Sequence, residues 1–273
     1  MQDAECIAFL QWALPRLHMR WPGFRKVRRQ VCNRVARRAA SLGLSGSSAY
    51  QAYIEMRPEE WSCLDELCRI SISRFYRDKA VFEHLAGNEL PSIASAAVQR
   101  GAAGIRAWSA GCCAGEEPYT LMLIWQLMLR PKFTGLALSV LATDIDREQL
   151  NRANTACYSS GSLKDLPDTW LESAFEKRQG RFCLRPQFRA GVEFRQQDIR
   201  KGLPDGPFDL VLCRNLVFTY FDQPLQVEIS RALHERIVPG GALVLGIHET
   251  LPADAAGFRE IEPRLRIYRR ESP

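Results

Sequence analysis

The chain has 273 residues, of which 46% are hydrophobic, 25% charged and 10% aromatic. This composition is typical of a globular protein and excludes a disordered, fibrous or disulfide-dense chain. The apolar stretches fall short of the roughly 20 residues that a transmembrane helix needs. Asp3 and Glu5 stand where a secretory signal would be basic. We therefore expect a cytoplasmic protein that does not insert into membranes.

The nine cysteines and four histidines form no recognisable pattern. No C-x-x-C pair occurs, and the histidines stand alone without the spacing of zinc ligands. We expect buried, reduced thiols and no metal site.

The net charge of +6 comes from one segment. Between Cys6 and Ile54 there are nine basic residues and no acidic one, whereas the other 28 basic residues face 31 acidic ones. Within it, 25–40 has apolar residues at four-residue spacing, which predicts an amphipathic helix with a basic outer surface. This surface is either a solvated helix face or a docking site for an acidic partner. A nucleic acid is disfavoured because few aromatic residues are interleaved.

Two more helices are predicted before residue 70. The first follows the serine-rich stretch 45–48, and the second is opened by Pro58. We expect residues 1–70 to form a small, all-helical N-terminal domain.

From about residue 105, strand patterns alternate with helix patterns. The predicted strands are 105–110, 136–143, 192–196, 208–213, 242–247, 258–262 and 265–269, and the predicted helices are 117–129, 147–157 and 225–237. This alternation is typical of an α/β, doubly wound, mostly parallel sheet, whose ligands bind beyond the carboxyl ends of the strands. We expect one domain over 71–273, with 161–191 as an inserted segment.

The first of these strands ends in a loop with Gly111 and Gly115. Glycines at this spacing allow the backbone to approach a ligand closely. The loop lacks the lysine of a phosphate-binding loop, and Glu116 and Glu117 at the helix start would repel a pyrophosphate. They would attract an ammonium or sulfonium group, unless they only complement the helix dipole.

The other parallel strands also end in polar residues. Asp144 follows the second strand and is well placed to hold the two hydroxyls of a ribose. Asp146, two residues later, suits a helix N-cap. Asp198 follows the third strand, and Arg214 with Asn215 follows the fourth. The set predicts a nucleoside ligand without phosphates.

Several motifs carry a resemblance to a known family. They are RRQVCNRVARRAASLGL at 28–44, SISRFYR at 71–77, WSAGCCAGEEPY at 108–119, ATDID at 142–146, FDLVLCRN at 208–215 and PGGALVLG at 239–246. In this order they resemble the chemotaxis receptor methyltransferase (CheR) family of S-adenosylmethionine-dependent protein-glutamate O-methyltransferases. The resemblance implies a Rossmann-like class I methyltransferase fold and S-adenosylmethionine as cofactor, with S-adenosylhomocysteine as product.

The resemblance also implies roles for individual positions. Cofactor contacts are expected from Ser71, Ser73, Arg77, Gly111, Glu117, Asp144, Asp198, Ile199, Arg214 and Asn215. Of these, Asp144 corresponds to the ribose ligand, Asp198 and Ile199 lie near the adenine, and Arg214 and Asn215 near the methionine end.

The sequence departs from the family pattern at several points. Ser71 and Ser73 replace Asn and Thr, and Cys113-Ala114 replaces Ser-Thr. One extra residue precedes Tyr220, and His248-Glu249 replaces H-S-E. The segment 161–191 is shorter than the family's small β-subdomain, which in some members binds a receptor tail peptide.

The catalytic residues that we expect are Arg77 and Tyr220. A glutamate side chain is already anionic at neutral pH, so methyl transfer to it needs positioning rather than a base. Arg77 would either grip the acceptor carboxylate or form a structural salt bridge, and Tyr220 would either orient the acceptor or pack in the core. The expected partner is an acidic, chemoreceptor-like cytoplasmic domain docked on the basic helix. The alternatives are a methyltransferase for a small molecule or a non-receptor protein, and a catalytically silent binding protein.

Overall fold

The computed structural model describes residues 3–271. Residues 1–2 and 272–273, the outer ends of the two predicted domains, lie outside the described residues. The helices, in chain order, are α1 Asp3–Ala13, α2 Trp21–Phe24, α3 Arg28–Ser41, α4 Gly46–Met56, α5 Glu60–Cys68, α6 Lys79–His84, α7 Leu90–Gln99, α8 Glu116–Ile124, α9 Arg147–Thr155, α10 Ser160–Leu163, α11 Asp168–Ala174, α12 Val217–Tyr220 and α13 Gln223–Arg236. The strands are β1 Gly104–Ala110, β2 Ala137–Asp144, β3 Cys157–Tyr158, β4 Phe175–Arg178, β5 Arg181–Leu184, β6 Val192–Gln196, β7 Phe208–Cys213, β8 Ile237–Leu245, β9 Phe258–Glu262 and β10 Ile267–Arg270.

The chain forms two compact units, one of Met1–Ser71 with Val217–Gln226, the other of Ile72–Leu216 with Val227–Pro273. The segment Val217–Gln226 therefore joins the helical unit, although we predicted it within the second domain. Backbone pairing explains this placement, because Arg20 donates its N–H to the Tyr220 carbonyl at 2.8 Å.

The first unit is helical and built around α1, α3, α4 and α5. Helix α3 begins at Arg28 rather than at residue 25, because a separate turn, α2, precedes it. At its centre the carboxylate of Glu60, which is 5% exposed, accepts hydrogen bonds from Arg38 and from Tyr50, each at 2.8 Å. These bonds hold α3, α4 and α5 together.

The second unit contains a seven-stranded sheet in the order β6-β2-β1-β7-β8-β10-β9. The strands from β6 to β8 run parallel, and β10 and β9 are antiparallel. Helix α7 contacts β1, while α8 and α9 contact β2 and β6. The predicted, mostly parallel α/β sheet is confirmed.

Strand β8 is longer than predicted. It begins at Ile237 instead of residue 242. Residues 239–241, which we expected to form a turn, are part of the strand, and the pairing of β8 with β7 shifts in register at this point. From β1, the chain first adds β2 and β6 on one side of the sheet and then β7 and β8 on the other, so the strand order reverses between β1 and β7. Ligands of open parallel sheets bind at such a switch point.

The inserted segment contributes β4 and β5 to a second, three-stranded antiparallel sheet in the order β3-β5-β4, whose strand β3 lies just before the predicted start of the segment. Cys157 and Cys183 face each other directly across β3 and β5 and form a disulfide. A second disulfide joins Cys6 of α1 to Cys32 of α3. The prediction of reduced thiols is wrong for these four residues, because the pairings depend on strand register and helix packing.

No helix within residues 3–271 is both long and apolar enough to cross a membrane.

Candidate active site

The loop between β1 and α8 lies across the carboxyl ends of β1 and β2. Gly111 donates its N–H to the carbonyl of Thr143 at 2.8 Å. Gly111 and Gly115 have φ angles of +74° and +88°, which side chains rarely adopt. A Cβ on Gly115 would lie 2.9 Å from the side chain of Ala153. Glycine is therefore required where this loop enters α8.

Asp144 ends β2 and is fixed by backbone donors. One carboxylate oxygen accepts the N–H of Cys113 at 2.8 Å, and the other accepts the N–H of Asp146 at 2.9 Å. A carboxylate is a pure acceptor at neutral pH, which is the chemistry that holding the hydroxyls of a ribose requires. Asp146 caps α9 by accepting N–H groups from Glu148 and Gln149, as predicted.

Glu117 joins the ends of β1 and β7. One of its carboxylate oxygens accepts the Ser109 hydroxyl at 2.8 Å, and the other accepts Arg214 Nη1 at 3.0 Å. The same guanidinium also binds Asp78 Oδ2 at 2.6 Å and the carbonyl of Arg77 at 3.1 Å. Arg214 thus connects the strand ends to the segment that carries Arg77.

Glu249 lies just beyond β8 and was not among the predicted site residues. Its Oε2 accepts the backbone N–H of Asn215 and that of Gly246, each at 2.7 Å. Asn215 has a φ of +54°, an uncommon conformation for a residue with a side chain. Glu249 therefore holds the loop after β7 in place. The sequence does hold a signal for Glu249, because it is a polar residue that follows a predicted strand, as the other site residues do.

Asp198 follows β6 and is engaged by a neighbouring arginine. Burial favours a raised pKa for Asp198, but hydrogen bonds and the charge of Arg200 outweigh it and lower the pKa below the usual carboxyl value. Arg200 Nε binds Asp198 at 2.9 Å, and Ile199 is buried beside it. Gln197 donates its N–H to the Asp144 carbonyl at 3.0 Å, which places Asp198 beside the end of β2.

Glu116 is 2% exposed and lies at the start of α8. Burial raises the pKa of this carboxyl, although a hydrogen bond from the Ser73 hydroxyl partly opposes the shift. Its Oε2 has no hydrogen-bond partner among residues 3–271. Burial and the nearby carboxylates also raise the pKa of the Cys113 thiol well above its ordinary value, so this thiol stays protonated and weakly nucleophilic.

The two predicted catalytic residues occupy different units. Arg77 lies in the second unit, and its Nη1 donates to the carbonyl of Ile72 at 2.6 Å. Tyr220 lies in the first unit, where its ring packs against Phe24 with centroids 5.0 Å apart. Ser71 is the last residue of the first unit's N-terminal segment. The other predicted residues lie in the second unit: Ser73, Gly111, Glu117, Asp144, Asp198, Ile199, Arg214 and Asn215.

The chemistry of these groups fits S-adenosylmethionine. The carboxylates of Glu117, Asp144 and Asp198 can accept hydrogen bonds from ribose hydroxyls, an amine or an ammonium. The unpartnered oxygen of Glu116 adds a buried acceptor at the same place.

Comparison with known proteins agrees with this reading. The family model "CheR methyltransferase, SAM binding domain" matches residues 71–266. Over 233 residues the chain is 30% identical to the chemotaxis protein methyltransferase of Escherichia coli strain K12, covering 81% of this chain and 76% of that one. It is 28% identical over 234 residues to a probable chemotaxis protein methyltransferase of Rhizobium etli, covering 82% and 85%.

A third relative is much longer. An uncharacterised 104.1 kDa protein of Rhodobacter capsulatus is 30% identical over 247 residues, covering 89% of this chain but only 25% of that protein. The resemblance inferred from the motifs is confirmed by the family match. The chain belongs to the CheR methyltransferase family and is an S-adenosylmethionine-dependent methyltransferase whose cofactor-binding domain spans residues 71–266.

Proposed function

We propose that this protein methylates glutamate side chains of a chemoreceptor-like protein in the cytoplasm. The observation that carries the proposal is the match to proteins named as chemotaxis methyltransferases over most of both chains. The acceptor oxygen would form a bond to the methyl carbon while the carbon–sulfur bond breaks, leaving S-adenosylhomocysteine. A glutamate carboxylate needs no base for this step, because its ordinary pKa lies far below neutral pH.

The residues of the site would act mainly by positioning. S-adenosylmethionine, when bound, supplies an electrophilic methyl group on a sulfonium. We assign the ribose to Asp144, the adenine to Asp198 and Ile199, and the methionine end to Glu117, Arg214 and Asn215. Ser71, Ser73 and Gly111 complete the proposed cofactor contacts. Arg77 would hold the acceptor carboxylate, and Tyr220 would orient it.

The docking surface we propose is narrower than the whole basic helix. Several of its arginines already have structural partners: Arg28 binds Asp3 at 3.0 Å, Arg34 donates to the Leu67 carbonyl at 3.2 Å, and Arg38 binds Glu60. The exposed cations are Arg25, Lys26, Arg29 and Arg37. We call these four residues the basic stripe and infer that they meet acidic residues of the receptor.

Charge reversal tests this surface. We expect R25E/R29E/R37E to abolish methylation of receptors in isolated membranes and to leave binding of S-adenosylhomocysteine unchanged. The fold should tolerate the change, because all three residues are exposed and a glutamate at position 29 complements the dipole at the start of α3. The matched control R130E/K132E/R231E makes the same change in net charge at exposed positions of the second unit.

The control should methylate receptors as the wild type does. Equal loss in both triple variants would mean that net charge alone matters, which would refute the basic stripe. Methyl label that appears only in small molecules or in non-receptor proteins would instead support the alternative acceptors.

A further inference from the structure

The buried guanidinium of Arg214 is the meeting point of three chain segments in the second unit. Its side chain is 2% exposed and forms ion pairs with Asp78 at 2.6 Å and Glu117 at 3.0 Å. It also donates to the carbonyl of Arg77 at 3.1 Å, and its centre lies 5.1 Å from the ring of Phe82. A planar group with several donors suits this task, whereas a lysine has a single charged nitrogen.

The segment around Arg77 has an unusual backbone. Tyr76 and Asp78, on either side of Arg77, have φ angles of +57° and +60°. Residues with side chains keep such conformations only when their surroundings fix them. Asp78 contacts Arg214 on one side, and on the other side Tyr76 donates its N–H to Thr120 at 3.2 Å.

The ring of Tyr76 adds packing contacts to the hydrogen bond that its N–H makes with Thr120. It packs against Phe82 at 5.5 Å and edge-on to Trp170 at 5.4 Å. Tyr76 is buried, whereas Arg77 is only partly buried. The loop 72–78 is therefore fixed at both neighbours of Arg77, whose own side chain is partly accessible.

We propose that Asp78 and Arg214 are positioning residues for methyl transfer, which set the place of Arg77 relative to Glu117. This inference rests on the proposed role of Arg77 in holding the acceptor. Arg214 then acts through Glu117 and the loop 72–78, to which its Nη1 and Nη2 groups make three hydrogen bonds. Arg77, which would hold the acceptor, and Glu117, which would hold the cofactor, are both attached to Arg214. Methyl transfer is faster when the two reactants are held in a fixed relative position.

The test compares D78N with the matched variant D209N. Asp209 also forms a short ion pair with an arginine of the same unit, the exposed Arg100 at 2.7 Å, but it lies at the opposite end of β7. We expect D78N to lower kcat for receptor methylation about 100-fold, the cost of misplacing a reacting group by about 1 Å. Affinity for S-adenosylhomocysteine should stay unchanged, and D78E should restore most of kcat.

Amide hydrogen exchange gives a readout independent of activity. Exchange in the loop 72–78 should accelerate in D78N and remain as in the wild type in D209N and D78E. Unchanged exchange in D78N, or equal acceleration in D209N, would overturn the proposal. If the wild type methylates no receptor carboxylate, the proposed function fails, whereas the exchange comparison still decides whether Asp78 and Arg214 fix this loop.

Discussion

Asp144 is the residue on which cofactor binding should depend most. Its carboxylate ends β2 and is aimed by the N–H groups of Cys113 and Asp146. We predict that D144A weakens S-adenosylhomocysteine binding by about 10- to 100-fold, the range for losing hydrogen bonds to a charged group. Isothermal titration calorimetry measures this directly. D146N, which keeps a good N-cap for α9, should bind as the wild type does, and unchanged affinity in D144A would remove the ribose assignment.

Glu116 should make stability depend on pH. Its buried carboxyl keeps its proton above the ordinary pKa of 4.5, so the folded state binds more protons than the unfolded chain between 4.5 and the raised pKa. This contribution to stability is present below pH 4.5 and is lost as the pH rises through the raised value. E116Q, which resembles the protonated form, should therefore remove this part of the pH dependence.

Urea unfolding of E116Q and wild type across this pH range tests the prediction. A control, E148Q, changes an exposed glutamate in the first turn of α9 and should leave the slope unchanged. Parallel curves for E116Q and the wild type would show that the carboxyl ionises normally in the folded protein.

At the scale of the elements, helix α3 carries an exposed arginine and a structural arginine at adjacent positions. Arg38 binds Glu60, which is 5% exposed, whereas the neighbouring Arg37 is exposed. We predict that R38E lowers the free energy of unfolding by about 3 kcal/mol, because it leaves a buried carboxylate facing another negative charge. R37E should change it by about 0.5 kcal/mol or less. Equal stability of the two variants in denaturant titrations would contradict this division of α3.

The same elements show which features the sequence can predict. Strands β6 and β7 appear at their predicted bounds because each is a short run between turn signals, and β7 is buried along its whole length. Arg214 was predicted as a site residue from its place after β7. Its ion pair with Asp78 was not, because 136 positions separate the two residues and only the fold brings them together.

At the scale of the whole molecule, long-range connections were the hardest features to predict. The strand-end rule found the polar edge of the sheet, since it follows from the order of strands along the chain. The disulfide between Cys157 and Cys183 requires the register of two short strands, which no local pattern specifies. The return of Val217–Gln226 to the helical unit likewise depends on pairing with residues near position 20.

The central claim is that the methyl group ends on a carboxylate of a receptor, and the bond formed can be identified chemically. Purified protein would be incubated with methyl-labelled S-adenosylmethionine and membranes that carry chemoreceptors, and the receptor band would be treated with mild base. We predict that the label leaves the receptor as volatile methanol, because carboxyl methyl esters hydrolyse under these conditions. Label that resists base, or that never reaches the receptor in a preparation that binds S-adenosylhomocysteine, would contradict the proposed acceptor.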